Sequence, residues 1–178
     1  MARDRGISGK DRTPIQNLAG GNEVGAERTL VLIDTNVFVI DLRYKHDTHY
    51  RANSRFLEAI GETGTGFTTI VNLLEICGIL SFNLSERQLR ELWVYFEQKY
   101  RVTVLPDAGL DGVLPSLRIR EVFDWIKRKL SFGDAYILAV ALKQMPTLSV
   151  MITWDKQHFK GKFEGAIYTP AEYLRNRS

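Results

Sequence analysis

The chain has 178 residues, 44% of them hydrophobic and 25% charged, a balance that suits one soluble globular domain with a substantial core. Cys77 is the sole cysteine, which excludes an intrachain disulfide framework and a cysteine zinc site. No apolar run reaches bilayer length or resembles a signal-peptide core, so a cytoplasmic protein with no membrane association is expected. A net charge of +3 permits a polyanionic partner. The three histidines, His46, His49 and His158, are too scattered for a histidine metal site, and each reads as a lone surface residue.

Residues 1–28 carry five glycines and dispersed basic side chains without apolar periodicity, as expected of a flexible leader ahead of one folded domain over 29–178. The domain opens on Leu30-Val31-Leu32-Ile33, an apolar run of strand length that ends abruptly in Asp34-Thr35-Asn36. Val37 to Leu42 is then expected as a short helix. His49 to Ile60 follows as a second, with Phe56, Leu57 and Ile60 on one face and Gly61 as its stop. Gly66 to Thr69 reads as a strand running directly into a helix over Ile70 to Leu80. Ser85-Glu86-Arg87-Gln88 has capping-box spacing and starts a helix through Lys99.

Arg101 to Leu105 is β-branched and reads as a strand closed by Pro106. A long amphipathic helix is expected over Leu117 to Leu130, carrying Arg118, Arg120, Lys127, Arg128 and Lys129, and another helix over Ser131 to Leu142. Leu148 to Thr153 is a buried-type strand, Ala166 to Tyr168 a short one, and Pro170 to Arg175 a closing helix. Strands alternating with helices predict an α/β protein with a central parallel sheet between helical layers.

Four carboxylates stand apart from other charges. Asp34 ends the first strand, where ligands of open α/β sheets gather, although an N-cap role suits it equally. Glu75 is the sole charge between Glu62 and Glu86, in a helix so apolar that it is expected to be buried, where a cation, a proton or a salt bridge must compensate the charge. Asp134 is the sole charge between Lys129 and Lys143 and stands at capping-box distance from Ser131. Asp155 follows the Leu148–Thr153 strand after Trp154, as a site residue or as the turn or N-cap ahead of Lys156 to Phe159. Gathered on one sheet edge, four carboxylates cannot all stay ionised without cations among them. Oxygen ligands without cysteine or histidine point to Mg²⁺ or Mn²⁺, and phosphodiester hydrolysis is the chemistry that fits best.

These residues resemble the PIN-domain ribonucleases, especially the VapC-type toxins of prokaryotic toxin–antitoxin pairs. The matching pieces are Asp34-Thr35-Asn36, the lone Glu75, Gly133-Asp134-Ala135, and Thr153-Trp154-Asp155 with Phe159, in the family's order over Leu30 to Leu174. The resemblance implies a three-layer α/β/α PIN-like fold in which Asp34, Glu75, Asp134 and Asp155 hold the divalent metal, with Thr35, Asn36 and Thr153 as hydrogen-bonding support. It further implies single-stranded or loop RNA as substrate, frequent homodimers and an antitoxin protein as partner. Arg118, Arg120, Lys127 and Arg128 are candidates for an RNA path, against the alternative of a solvated helix face.

Three other readings stand beside this one. One is an RNA-processing PIN nuclease without an antitoxin, and another a noncatalytic PIN-like domain that binds RNA or protein. The third is a phosphatase of the haloacid dehalogenase type, which wants an aspartate where Asn36 stands and a lysine that is not evident beside Asp134.

Overall fold

The computed structural model describes residues 29–107 and 109–177; the expected leader, 1–28, lies outside the described residues. Five short strands build the centre: β1 (Val31–Ile33), β2 (Gly66–Thr69), β3 (Thr103–Leu105), β4 (Val150–Ile152) and β5 (Ala166–Tyr168). Around them run α1 (Thr35–Arg43), α2 (Tyr50–Thr63), α3 (Ile70–Leu80), α4 (Glu86–Tyr100), α5 (Ile119–Lys127), α6 (Phe132–Gln144), α7 (Lys156–Phe159) and α8 (Pro170–Arg177). All strand pairs are parallel, in the order β3-β2-β1-β4-β5.

Side chains alternate across a strand, so β1 feeds both helical layers. Val31 and Ile33 join a core with Val37, Phe38, Phe56, Ile76 and Phe96, drawn from α1, α2, α3 and α4. Leu32 turns the other way, into a core with Phe67, Leu138, Met151 and Phe159, beneath α6 and α7. Helices on both faces of a parallel sheet make the three layers expected. Among the described residues no helix is long and apolar enough to cross a membrane.

The strand order decides where a site can form. From β1 the chain moves outward to β2 and β3 on one side, while β4 and β5 lie on the other. Diverging connections open a crevice beyond the carboxyl ends of the two strands at the switch point, here β1 and β4. Asp34 follows β1 and Thr153 follows β4 at that crevice.

Several boundaries differ from expectation. Gly61 does not stop α2: the helix runs to Thr63, and Gly64, at φ 63°, supplies the left-handed cap. Gly61 instead leaves room for a neighbour, since a Cβ there would come within 3.0 Å of the Tyr100 carbonyl oxygen. Arg101 is the left-handed cap of α4 (φ 52°) and stands outside β3. The expected helix over Leu117 to Leu130 contracts to α5, with Lys129 at φ 68° turning the chain into α6. The expectation that α3 is buried also fails. One face packs through Ile70, Leu73 and Ile76, while Leu74 is 40% exposed and Glu75 is exposed with it. A mostly apolar sequence concealed that one side of the helix, with Glu75, faces the crevice at the strand ends.

Candidate metal centre

Asp34 is 6% exposed and is the N-cap of α1 as well as the end of β1. Its Oδ1 accepts from the Thr35 backbone N–H at 2.8 Å. Its Oδ2 accepts from Asn36 Nδ2 at 2.7 Å and from the Thr153 hydroxyl at 2.7 Å. Asn36 completes a clasp between the two strand ends, because its Oδ1 accepts from the Trp154 N–H at 3.2 Å and its Nδ2 also reaches Thr153 Oγ1 at 2.9 Å.

Burial pushes the Asp34 carboxyl up to about 7, outweighing the Thr153 and Thr35 hydrogen bonds that favour its ionised form. The neighbouring Asp134 and Glu75 carboxylates push the same way. Both of these acids are therefore within electrostatic reach of Asp34.

Glu75 is aimed by a chain of hydrogen bonds that begins in the sheet. Thr69 and Asn72 form a reciprocal capping box at the start of α3, with Asn72 Oδ1 accepting from the Thr69 N–H (3.1 Å) and hydroxyl (2.7 Å). The fully buried Asn72 then donates through Nδ2 to Thr35 Oγ1 at 3.0 Å. The Thr35 hydroxyl that accepts this bond donates its one proton to Glu75 Oε2 at 2.5 Å. On the opposite wall, a Cβ built on Gly133 would stand 3.7 Å from Glu75 Oε1, so the first turn of α6 faces this carboxylate.

Asp134 lies in that first turn. Its N–H donates to Ser131 Oγ at 3.2 Å, and the Ser131 hydroxyl donates to Asp134 Oδ2 at 2.5 Å. His158 Nε2 stands 2.8 Å from the same oxygen, with no hydrogen bond aligned to it among the described residues. His158 is thus not the lone surface residue expected, since only 32% of its side chain is exposed and it faces Asp134. Its position three residues after Asp155, in the helical turn that carboxylate caps, was the available signal.

Asp155 is exposed, and its Oδ1 accepts from the His158 N–H at 3.4 Å as the N-cap of α7. Its own N–H donates to Thr153 Oγ1 at 3.0 Å, which ties it to the clasp around Asp34. The structure thus brings Asp34, Glu75 and Asp134 together and leaves Asp155 at the rim. Sequence reasoning also missed Asn72, although it shares a helix face with Glu75 at i, i+3 spacing.

Among the described residues, no three of His, Cys, Asp and Glu already converge into a closed cage. The donor set nonetheless suits a hard cation. Mg²⁺ characteristically binds through one or two carboxylates and keeps several waters. Asp34 is held short of full ionisation at neutral pH by burial and by two like charges, and a divalent cation would relieve both.

The basic residues divide along α5. Arg118 and Arg120 stand at its start, one end of a nine-residue helix, about 13 Å from the other end. Lys127, Arg128 and Lys129 lie at its finish, next to Ser131 and Asp134 in the chain. Lys127 pairs with Asp124 at 2.7 Å, and the Arg128 guanidinium lies 4.6 Å from the centre of the Trp125 ring. All five basic side chains are exposed.

Comparison with known proteins agrees with this architecture. Residues 31–159 match the PIN domain family. No curated protein matches the chain. Among solved structures, that of FitAB bound to an IR36 DNA fragment is similar in fold, with a TM-score of 0.51 and 17% identity over 80% of this chain and 96% of that one. PIN domains are generally nucleases and generally use divalent metals. With the match covering most of its length, from the strand that delivers Asp34 to the helix that Asp155 caps, the chain belongs to the PIN-domain family.

Proposed function

We propose that this protein is a divalent-metal-dependent ribonuclease, using Mg²⁺ or Mn²⁺ to hydrolyse RNA phosphodiester bonds in the cytoplasm. The observation that carries the reading is the buried Asp34, raised towards neutrality and flanked by Glu75 and Asp134 at the switch point of the sheet. Asp34, Glu75 and Asp134 would hold the ion, with Asp155 joining from the rim. When bound, such an ion polarises a phosphoryl oxygen and makes a water acidic enough to attack at neutral pH.

The chain's own residues supply orientation. Thr153 and Asn36 fix Asp34, and the Asn72–Thr35 relay aims Glu75. No side-chain nucleophile enters, and Cys77 is read as a small packing residue.

The motif resemblance to VapC-type toxins supports the toxin of a toxin–antitoxin pair, with an antitoxin protein as partner. A homodimer would form through the open face of α5. Against the described residues this helix buries no side chain fully, and its apolar face continues into Phe132 and Tyr136 around a groove of about 370 Å³. Ile119, Phe123 and Phe132 are each more than half exposed there, an apolar surface of the kind that dimer interfaces bury.

The test is cleavage of single-stranded and hairpin RNAs with Mg²⁺, Mn²⁺ or EDTA, with Glu75→Gln beside the parent. Metal-dependent cutting that disappears in the variant is the expected result. No cutting by either protein, together with no rise in melting temperature on adding metal, refutes the reading in favour of a binding module.

A further inference from the structure

We infer that His49, stacked on Trp154, is the platform that receives an unpaired nucleobase next to the scissile phosphate. The inference rests on the ribonuclease reading and deepens it by naming the part of the substrate that is recognised. Trp154 stands between Thr153, which touches Asp34, and Asp155, so its backbone is about 3.8 Å from each along the chain. Its backbone thus sits directly between the clasp on Asp34 and the rim carboxylate Asp155.

The ring cannot turn freely. Its indole N–H donates to Asn53 Oδ1 at 2.9 Å, and the fully buried Asn53 donates through Nδ2 to the Val37 carbonyl at 2.7 Å. The backbone N–H of Trp154 donates to Asn36, the residue that clasps Asp34. The indole plane is thus locked to the same framework as the catalytic carboxylate.

His49 covers this ring with centroids 4.1 Å apart and planes 23° from parallel. It occupies the N-cap of α2, where a short polar side chain would normally bond the helix, yet it makes no side-chain cap bond. The imidazole is given to the stack instead, and the residue is exposed. A flat ring, backed by a fixed indole and open to solvent beside a phosphodiester site, matches how proteins stack single-stranded bases. A base in a duplex is already stacked and paired, so the platform selects unpaired RNA.

The experiment measures binding of a short single-stranded RNA by fluorescence anisotropy in EDTA, which prevents cutting. One abasic nucleotide is walked across the cleavage position in parent, His49→Ala and His49→Tyr proteins. His49 is exposed, so neither substitution disturbs the core, and circular dichroism verifies the fold. Expected is one register at which the abasic nucleotide weakens parent binding about tenfold or more. That penalty should vanish in His49→Ala and persist in His49→Tyr.

A parent that binds RNA with no register-dependent penalty, or a penalty unchanged in His49→Ala, overturns the platform and leaves the nuclease reading standing. A parent that neither binds nor cuts RNA overturns both.

Discussion

Replacing Asp34 by Asn should stabilise the metal-free protein at neutral pH while abolishing its metal response. In the folded state burial raises the carboxyl from 3.8 to about 7, so between these values the folded chain holds a proton that the unfolded chain has lost. Stability of the parent then falls as pH rises from about 4 to about 7. At roughly 1.4 kcal/mol per unit, the ceiling is about 4 kcal/mol.

The amide offsets part of that gain. Asp34 Oδ2 accepts from Asn36 Nδ2 and Thr153 Oγ1, and an NH₂ group there would meet a donor that cannot reverse, at about 1–3 kcal/mol. A net gain of about 1–3 kcal/mol is expected above pH 7, or about 2–12 °C in melting temperature for a chain of this size. Near pH 4 the gain should vanish or change sign. Calorimetry from pH 4 to 8, with EDTA and with Mg²⁺, measures this. Variant and parent melting curves that keep a constant separation across this range would refute the reasoning, as would equal stabilisation of both by Mg²⁺.

Asn72→Leu should lower stability by about 2–4 kcal/mol in urea unfolding, because it strips the partners of Thr69 and Thr35 in a buried network. Gly165→Ala should cost about 2–3 kcal/mol, since its Cβ would stand 2.3 Å from the Ser149 carbonyl oxygen; a melting temperature within 1 °C of the parent would show that β5 shifts freely. Arg128→Ala should weaken RNA binding and reduce the slope of log affinity against log salt by about 1, while Arg118→Ala leaves that slope unchanged; equal slopes in both variants would place the RNA path elsewhere.

Much of this molecule is legible in one dimension. The strand that ends at Ile33, the strand-to-helix passage at Thr69–Ile70 and the Ser85 capping box follow from local rules, and the structure has each of them, with the strand beginning at Val31. Local chemistry also marks the acids, because a lone charge in an apolar element needs a reason. Whether a carboxylate is buried or open, however, depends on neighbours distant in the chain. Asp34 is enclosed because β1 lies between β2 and β4, whereas Glu75 is open because α3 turns one side to the crevice.

His158 against Asp134 and Asn72 against Thr35 join residues 24 and 37 positions apart, and no periodicity reports such pairings. The amino-acid sequence by itself determined the element order, the parallel α/β class and the acidic residue types, because propensity, capping and burial of apolar runs act over a few neighbours. The tertiary structure alone decided which acids meet, which one is driven towards neutrality, and which rings stack at the rim, because electrostatics and packing act through space.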